Sequence, residues 1–85
     1  MTPIPPRILK RVLEKCGYRM IDGDNVCWLM ESNGQILVIP QTMELVPEDV
    51  LEGILGPAEI TAERFMQLIA QVEADEVGPA SAFAN

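Results

Sequence analysis

The fold is decided by residues 26–40, which read VCWLMESNGQILVIP. Two apolar runs rich in β-branched and aromatic residues flank the turn sequence SNG at residues 32–34, which supplies the positive-φ positions of a tight connection. This pattern predicts an antiparallel pair of strands over residues 26–31 and 35–39. Pro40 ends the second strand because proline has no backbone N–H to donate to a sheet.

Upstream of this pair, the sequence predicts one more strand and a helix. Residues 18–21 form the strand, and the polar run DGDN at residues 22–25 is typical of a turn that joins it to the next strand. Residues 5–16 carry apolar side chains at helical spacing and charged side chains on the other face. Pro6 suits the first turn of this helix and Gly17 suits its end. The three strands then make an antiparallel meander.

Downstream, two further helices are predicted. Pro47 opens the first, and the Gly-Pro pair at residues 56–57 closes it. Thr61 is placed to cap the next helix, over residues 62–72, whose apolar stripe must cover a neighbouring surface. Residues 73–85 lack an apolar period and are predicted to form a disordered acidic tail. The fold class is therefore α+β: a helix, a three-stranded antiparallel sheet and a helix, plus a short C-terminal helix.

Length and composition indicate one small domain, residues 1–72. A chain of 85 residues buries only about 60% of its unfolded surface, so self-association would add stability. The apolar runs at residues 26–30 and 36–39 are far shorter than the ~20 residues of a membrane-spanning helix. Three prolines within the first six residues are unlike the continuous apolar helix of a signal peptide. We expect a cytoplasmic protein without a membrane segment.

The residue types present exclude most catalytic and metal chemistry. The chain has no histidine, and Cys16 and Cys27 alone are too few soft ligands for a zinc site. The DGDN run lacks the glycine and glutamate spacing of a calcium loop. No serine has a histidine to activate it, and the acidic clusters are typical of solvated helix faces. We expect no catalytic residue, no metal and no cofactor, with both cysteines as free thiols in a reducing compartment.

The charge is unevenly distributed along the chain, although the net charge is -7. Residues 1–21 hold five basic residues against one acid, whereas the remaining positions hold one basic residue against twelve acids. The basic side chains of the first helix form a face that could meet RNA phosphates. They are Arg7, Lys10, Arg11 and Lys15. Two other interpretations remain open: a solvated face, or a face paired with the acidic side of a neighbouring subunit.

Several local strings resemble the HicA family, also called YcfA-like, over about residues 7–69. These are small ribonucleases of bacterial toxin-antitoxin pairs with a fold like that of double-stranded-RNA-binding domains. The strings that carry the resemblance are LEKCGY at residues 13–18, Gly23, Asn33-Gly34, Val38-Ile39-Pro40, Val46-Pro47, Leu51 and Ile54-Leu55. The resemblance implies the same order of helix, three strands and helix.

Two positions depart from the family's pattern. The family places its catalytic histidine shortly after the glycine that matches Gly23, and Asn25 occupies that position here. Asparagine cannot act as a general acid or base near neutral pH. The family tends to carry a lysine after the proline that matches Pro47, where this chain has Glu48 and then Asp49. Acids there would repel an RNA phosphate.

The functional expectation that follows is a catalytically silent HicA-like domain that acts as a protein-interaction module, either as a homo-oligomer or with a larger partner. The expected contact areas are the third helix and the basic face of the first. The alternatives are RNA binding through that basic face and a residual ribonuclease activity that uses Asp24.

Overall fold

The computed structural model describes residues 2–84, with side chains over residues 2–76. The elements in chain order are α1 (Pro6–Lys15), β1 (Arg19–Gly23), β2 (Cys27–Ser32), β3 (Gln35–Pro40), α2 (Glu48–Leu55) and α3 (Ala62–Ala84). The predicted α+β class and the predicted order of elements are confirmed.

Helix α1 begins and ends where its sequence signals place it. Pro6 is its first residue, where the missing N–H of proline costs no helical hydrogen bond. Gly17 follows its end with φ of +91°, and the N–H groups of Gly17 and Tyr18 donate to the carbonyls of Glu14 and Leu13. This pair of hydrogen bonds is a Schellman motif, which satisfies carbonyls that the helix leaves without partners.

The hairpin of β2 and β3 also forms at the predicted position. The two strands pair antiparallel from Cys27 opposite Pro40 to Ser32 opposite Gln35. Positive φ angles of 51° at Asn33 and 84° at Gly34 make the tight turn between them. Strand β1 completes a sheet of order β1-β2-β3, and a bulge between Met20 and Asp22 shifts its register against β2.

One face of the sheet, the inner sheet face, supports the core of the molecule. Met30 of β2 and Leu37 and Ile39 of β3 alternate onto this face and are buried. Helices α1 and α2 contact β3, and α3 packs along α1. The alternating burial of β3 from Ile36 to Ile39 follows from the two-residue period of a strand, which points successive side chains to opposite faces.

Helix α3 starts as predicted and ends later than predicted. The Thr61 hydroxyl accepts a hydrogen bond from the Arg64 N–H at 3.1 Å, which confirms its capping role. The prediction that this helix ends near Val72 is wrong, because α3 continues to Ala84. Residues 73–76 of the predicted disordered tail are helical, since acidic side chains there meet cations of α1. For the rest of that predicted tail, the side chains of residues 77–85 lie outside the described residues.

Candidate functional site

The turn between β1 and β2 holds the position that would match a HicA-like catalytic histidine. Asn25 is exposed at the tip of this turn. The Asp24 carboxylate accepts hydrogen bonds from the backbone N–H groups of Val26 at 2.8 Å and Cys27 at 2.9 Å. The Gln41 amide donates to the Asp24 carbonyl and ties the loop after β3 to this turn. Asp24 and Asn25 thus lie in the predicted turn, whereas the prediction that Asp22 and Gly23 belong to it is wrong, because β1 continues to Gly23 and both residues pair with β2.

The same hydrogen bonds limit what Asp24 can do chemically. The N–H donors of Cys27 and Val26 favour the carboxylate and hold the pKa of Asp24 below its usual value. A general acid or base is most effective when its pKa lies near the working pH. Asp24 therefore stays ionised near neutral pH, and its Oδ1 accepts both of the hydrogen bonds that hold the turn.

Lys10 is the member of the predicted basic face that turns toward the sheet. Its ammonium lies 5.6 Å from the centroid of the Trp28 ring, a cation–π geometry, and 3.6 Å from the Glu14 carboxylate. Trp28 is half-buried against the core and occupies the position opposite Ile39. The indole therefore packs against the core and has the Lys10 ammonium over its ring.

Three other members of the basic face lie beside α3. Lys15 pairs with Asp75 at 2.7 Å, and the Arg7 guanidinium pairs with Glu76. The hydrogen bond from Lys15 and its charge, helped by the charge of Arg11, hold the pKa of Asp75 below its usual value. The ion pairs show that the acidic segment of α3 meets the basic face of α1 within one chain.

This arrangement changes the contact areas expected from the sequence. The apolar stripe of α3 is not free to bind a partner, because Phe65, Leu68 and Val72 are buried in the core of the same chain. The basic face of α1 was left open between RNA, solvent and a neighbouring subunit. Two acidic partners of this face come from α3, where Glu76 pairs with Arg7 and Asp75 with Lys15, whereas Lys10 pairs with Glu14 of α1 itself.

One part of the exposed apolar surface lies on the side of the sheet that faces away from the helices. We define the outer sheet face as Leu29, Ile36 and Val38, which alternate with the buried residues of β2 and β3. Ile36 is 55% exposed and Val38 is 54% exposed, whereas Leu29 is half-buried. In the register of the hairpin, Val38 lies directly opposite Leu29. The three side chains therefore form an apolar patch, which is bordered by Glu31 opposite Ile36 on the same face.

The sequence analysis did not predict an exposed apolar face on the sheet, although the pattern that indicates such a face is present in the sequence. Residues 26–30 and 36–39 are apolar at consecutive positions. A strand with one solvated face normally alternates apolar and polar residues, whereas a continuous apolar run is typical of a strand that is buried on both faces. The absence of alternation in β3 was the available indication that a second face is apolar.

A second apolar feature is a groove between the N-terminal segment and α3. It has a volume of about 590 Å³, and Pro3, Pro5, Met66 and Ile69 are among its lining residues. Met66 is 65% exposed at its margin. The groove is open and lined mainly by apolar side chains, with Glu73 as its ionisable group. Such a groove lacks the several converging polar groups that orient a small ligand.

The two cysteines are free thiols, as predicted. Burial raises the pKa of the Cys16 thiol, and the nearby Arg64 charge opposes this effect only in part. A raised pKa keeps the thiol protonated and therefore a poor nucleophile. Within the described residues, no group of three or more potential ligands is arranged to hold a metal ion.

No helix in the described part of the chain combines the length and hydropathy needed to cross a lipid bilayer. In comparisons with known proteins, the chain matches no protein-family model, no curated protein and no solved structure. The resemblance to the HicA family thus depends on the sequence strings and stays a prediction.

Proposed function

We propose that this chain is a protein-interaction module, a HicA-like domain that does not cleave RNA. The observation that supports this function is the outer sheet face, where Ile36 and Val38 are each more than half exposed. Contiguous exposed apolar patches on small proteins mark interaction surfaces more often than isolated apolar residues do. The proposed compartment is the cytoplasm, where free thiols such as Cys16 and Cys27 persist.

The chemistry of the β1–β2 turn supports catalytic silence. Asn25 has no proton to transfer near neutral pH, and Asp24 is held ionised by two backbone N–H donors. The lowered pKa of Asp24 removes it further from the range in which a carboxyl group can serve as an acid in RNA cleavage. The residual ribonuclease hypothesis therefore has little support from this turn.

RNA binding through α1 is the second candidate function. It is supported by the exposure of the Arg7 side chain, 61%, which leaves part of the guanidinium open to solvent although it is paired with Glu76. The pairing of Lys15 with Asp75 works against this candidate, because an RNA phosphate would have to displace a carboxylate.

The protein-interaction function is tested by capture from an extract of the source organism. The immobilised chain is compared with Val38→Lys on the outer sheet face and with Met66→Lys, a matched control at an exposed apolar residue of α3. We expect at least one protein to bind the unmodified chain and Met66→Lys and to be lost from Val38→Lys. Circular dichroism of each variant establishes that the chain is folded.

Two results would contradict the protein-interaction function. Capture that is equal for all three chains would remove the outer sheet face from the function. Alternatively, salt-dependent binding of double-stranded RNA that is lost in Arg7→Glu, without any Val38-dependent protein partner, would establish the second candidate in place of the first.

A further inference from the structure

We infer that the outer sheet face binds a second copy of this chain, with β3 at the two-fold axis. The inference rests on the proposed function, since it names the partner of the same surface. A two-fold interface uses one patch twice, so the patch must be complementary to itself. The apolar side chains of Leu29, Ile36 and Val38 meet this condition, because apolar surface associates with apolar surface without regard to sign.

The charges of the three strands place the axis at β3. Strand β1 carries Arg19 and Asp22, and β2 carries Glu31. The Glu31 Oε2 lies 3.9 Å from the Arg19 Nη2. Strand β3 has the sequence QILVIP and contains no charged residue. Two chains that each carry a net charge of -7 repel one another most weakly where they approach through such a segment. Glu31 lies directly opposite Ile36 on this face, and its pairing with Arg19 offsets its charge.

The position of β3 in the sheet supports the same conclusion. It is an edge strand, because the strand order is β1-β2-β3. Monomeric proteins protect edge strands with lysine, with inward-pointing charges or with a covering element, since an exposed apolar edge promotes association. The run from Gln35 to Ile39 has none of these charges, and proline enters only at its last position, Pro40. An uncharged edge beside exposed Ile36 and Val38 is therefore suited to association.

The size of the patch sets the expected strength of the dimer. Three strands spaced about 4.8 Å apart, each six residues or fewer at about 3.3 Å per residue, span a face of roughly 15 Å by 20 Å. A standard interface buries about 800 Å² on each partner, which is more than such a face provides. We therefore expect a reversible dimer with a dissociation constant in the micromolar range.

The dimer is tested by sedimentation equilibrium of the purified full chain from about 1 µM to about 500 µM, a range that brackets micromolar dissociation. The weight-average mass of the unmodified chain is expected to rise from 9.4 kDa toward twice that value. Val38→Lys is expected to stay at the mass of one chain throughout. Met66→Lys, the matched control, is expected to associate like the unmodified chain.

Amide NMR spectra recorded on dilution locate the interface independently of any variant. The amide signals of β3 are expected to shift with concentration, while those of the α1 and α3 helices stay in place. A chain that remains at 9.4 kDa at the highest concentration would overturn the inference, as would association that is undiminished in Val38→Lys.

The two proposals fail in distinguishable ways. If the chain is monomeric but Val38→Lys still loses a captured protein, the self-association is wrong and the interaction module stands with a different partner. If the dimer forms through β3 but no other protein depends on Val38, the self-association stands and the role in binding another protein is removed.

Discussion

The two faces of the sheet are made by the same strands and meet opposite environments. On the inner sheet face, Met30 and Ile39 are fully buried beneath the helices. One position away in β3, Val38 is 54% exposed. The chemical character of the two faces is nevertheless the same, because both present aliphatic side chains at the centre of the hairpin.

This comparison shows that a residue's type does not indicate which face of the sheet is covered. The helices can cover one face only, and their apolar stripes are used on the inner one. Water on the outer sheet face contacts aliphatic side chains that another surface could cover at a gain of about 25 cal/mol per Å² of apolar area. The outer face therefore presents apolar area that association would cover.

The largest expected effect is the difference between truncating adjacent residues of β3. Ile39→Ala removes fully buried atoms and leaves a cavity, and we expect a loss of about 2–5 kcal/mol in the free energy of unfolding. Val38→Ala removes solvated atoms, and we expect a change of about 0.5 kcal/mol or less. Urea unfolding at low micromolar concentration, where the proposed dimer dissociates, measures both values. Equal losses at the two positions would mean that the outer sheet face is covered within the single chain.

A smaller loss of stability is expected for a substitution at Gly23, which lies beside Trp28. A Cβ atom added at Gly23, which lies opposite Trp28, would be 2.8 Å from the indole Cδ1. We expect Gly23→Ala to displace the ring and to lower the free energy of unfolding by about 1–3 kcal/mol, the usual cost of overpacking. A change in tryptophan fluorescence should accompany the loss, because the ring moves relative to Lys10.

Gly53 provides the matched control for that substitution. It lies within α2, and a Cβ added there meets no atom within 4 Å. We expect Gly53→Ala to stabilise the chain by about 0.5–1 kcal/mol, because alanine loses less conformational entropy in a helix than glycine does. Destabilisation by both substitutions would show that the Gly23 effect is not due to Trp28.

The smallest expected change in the free energy of unfolding comes from the ion pairs between α1 and α3. Because the folded-state pKa of Asp75 lies below its usual value of 3.8, the carboxylate stabilises the folded chain at pH values above 3.8. This contribution is lost as the pH falls from 3.8 through the lowered pKa. The difference in unfolding free energy between the unmodified chain and Asp75→Asn should therefore shrink over that acid range.

Salt provides the check on the cause of this pH dependence. Exposed ion pairs weaken as ionic strength rises, so the advantage of the unmodified chain over Asp75→Asn should decrease in added salt at neutral pH. A difference that is independent of both pH and salt would show that Lys15 and Asp75 contribute no electrostatic stability. The packing of Ile39 should show neither dependence, since it is apolar.

The order and type of the elements were predictable because their signals are local. Pro6, Gly17, Asn33-Gly34 and Thr61 each set a helix end or a turn through their own backbone or side-chain preference, and each does so in the structure. The end of α3 was not predictable in this way. Its continuation involves Asp75 and Glu76 meeting cations that are more than fifty positions earlier in the chain, and a local pattern carries no such information.

The site was less predictable than the fold for a related reason. The sequence showed that Arg7 and Lys15 share a helix face with other basic residues, but the acids that lie against this face come from a different element. The apolar strands were recognised correctly from residues 26–30 and 36–39, yet their composition did not indicate which face would be covered. That assignment depends on how many helices pack against the sheet.

The pairing of Arg7 with Glu76 joins residues that are 69 positions apart. The hairpin of β2 and β3 needs only neighbouring residues, so it can form early during synthesis, whereas α1, which packs on β3, is itself covered by α3 at the end of the chain. A nascent chain that has reached α2 therefore carries an α1 whose surface toward α3 is still open to water. Such an intermediate is prone to aggregate and is a natural client for chaperones until residues 62–76 emerge from the ribosome.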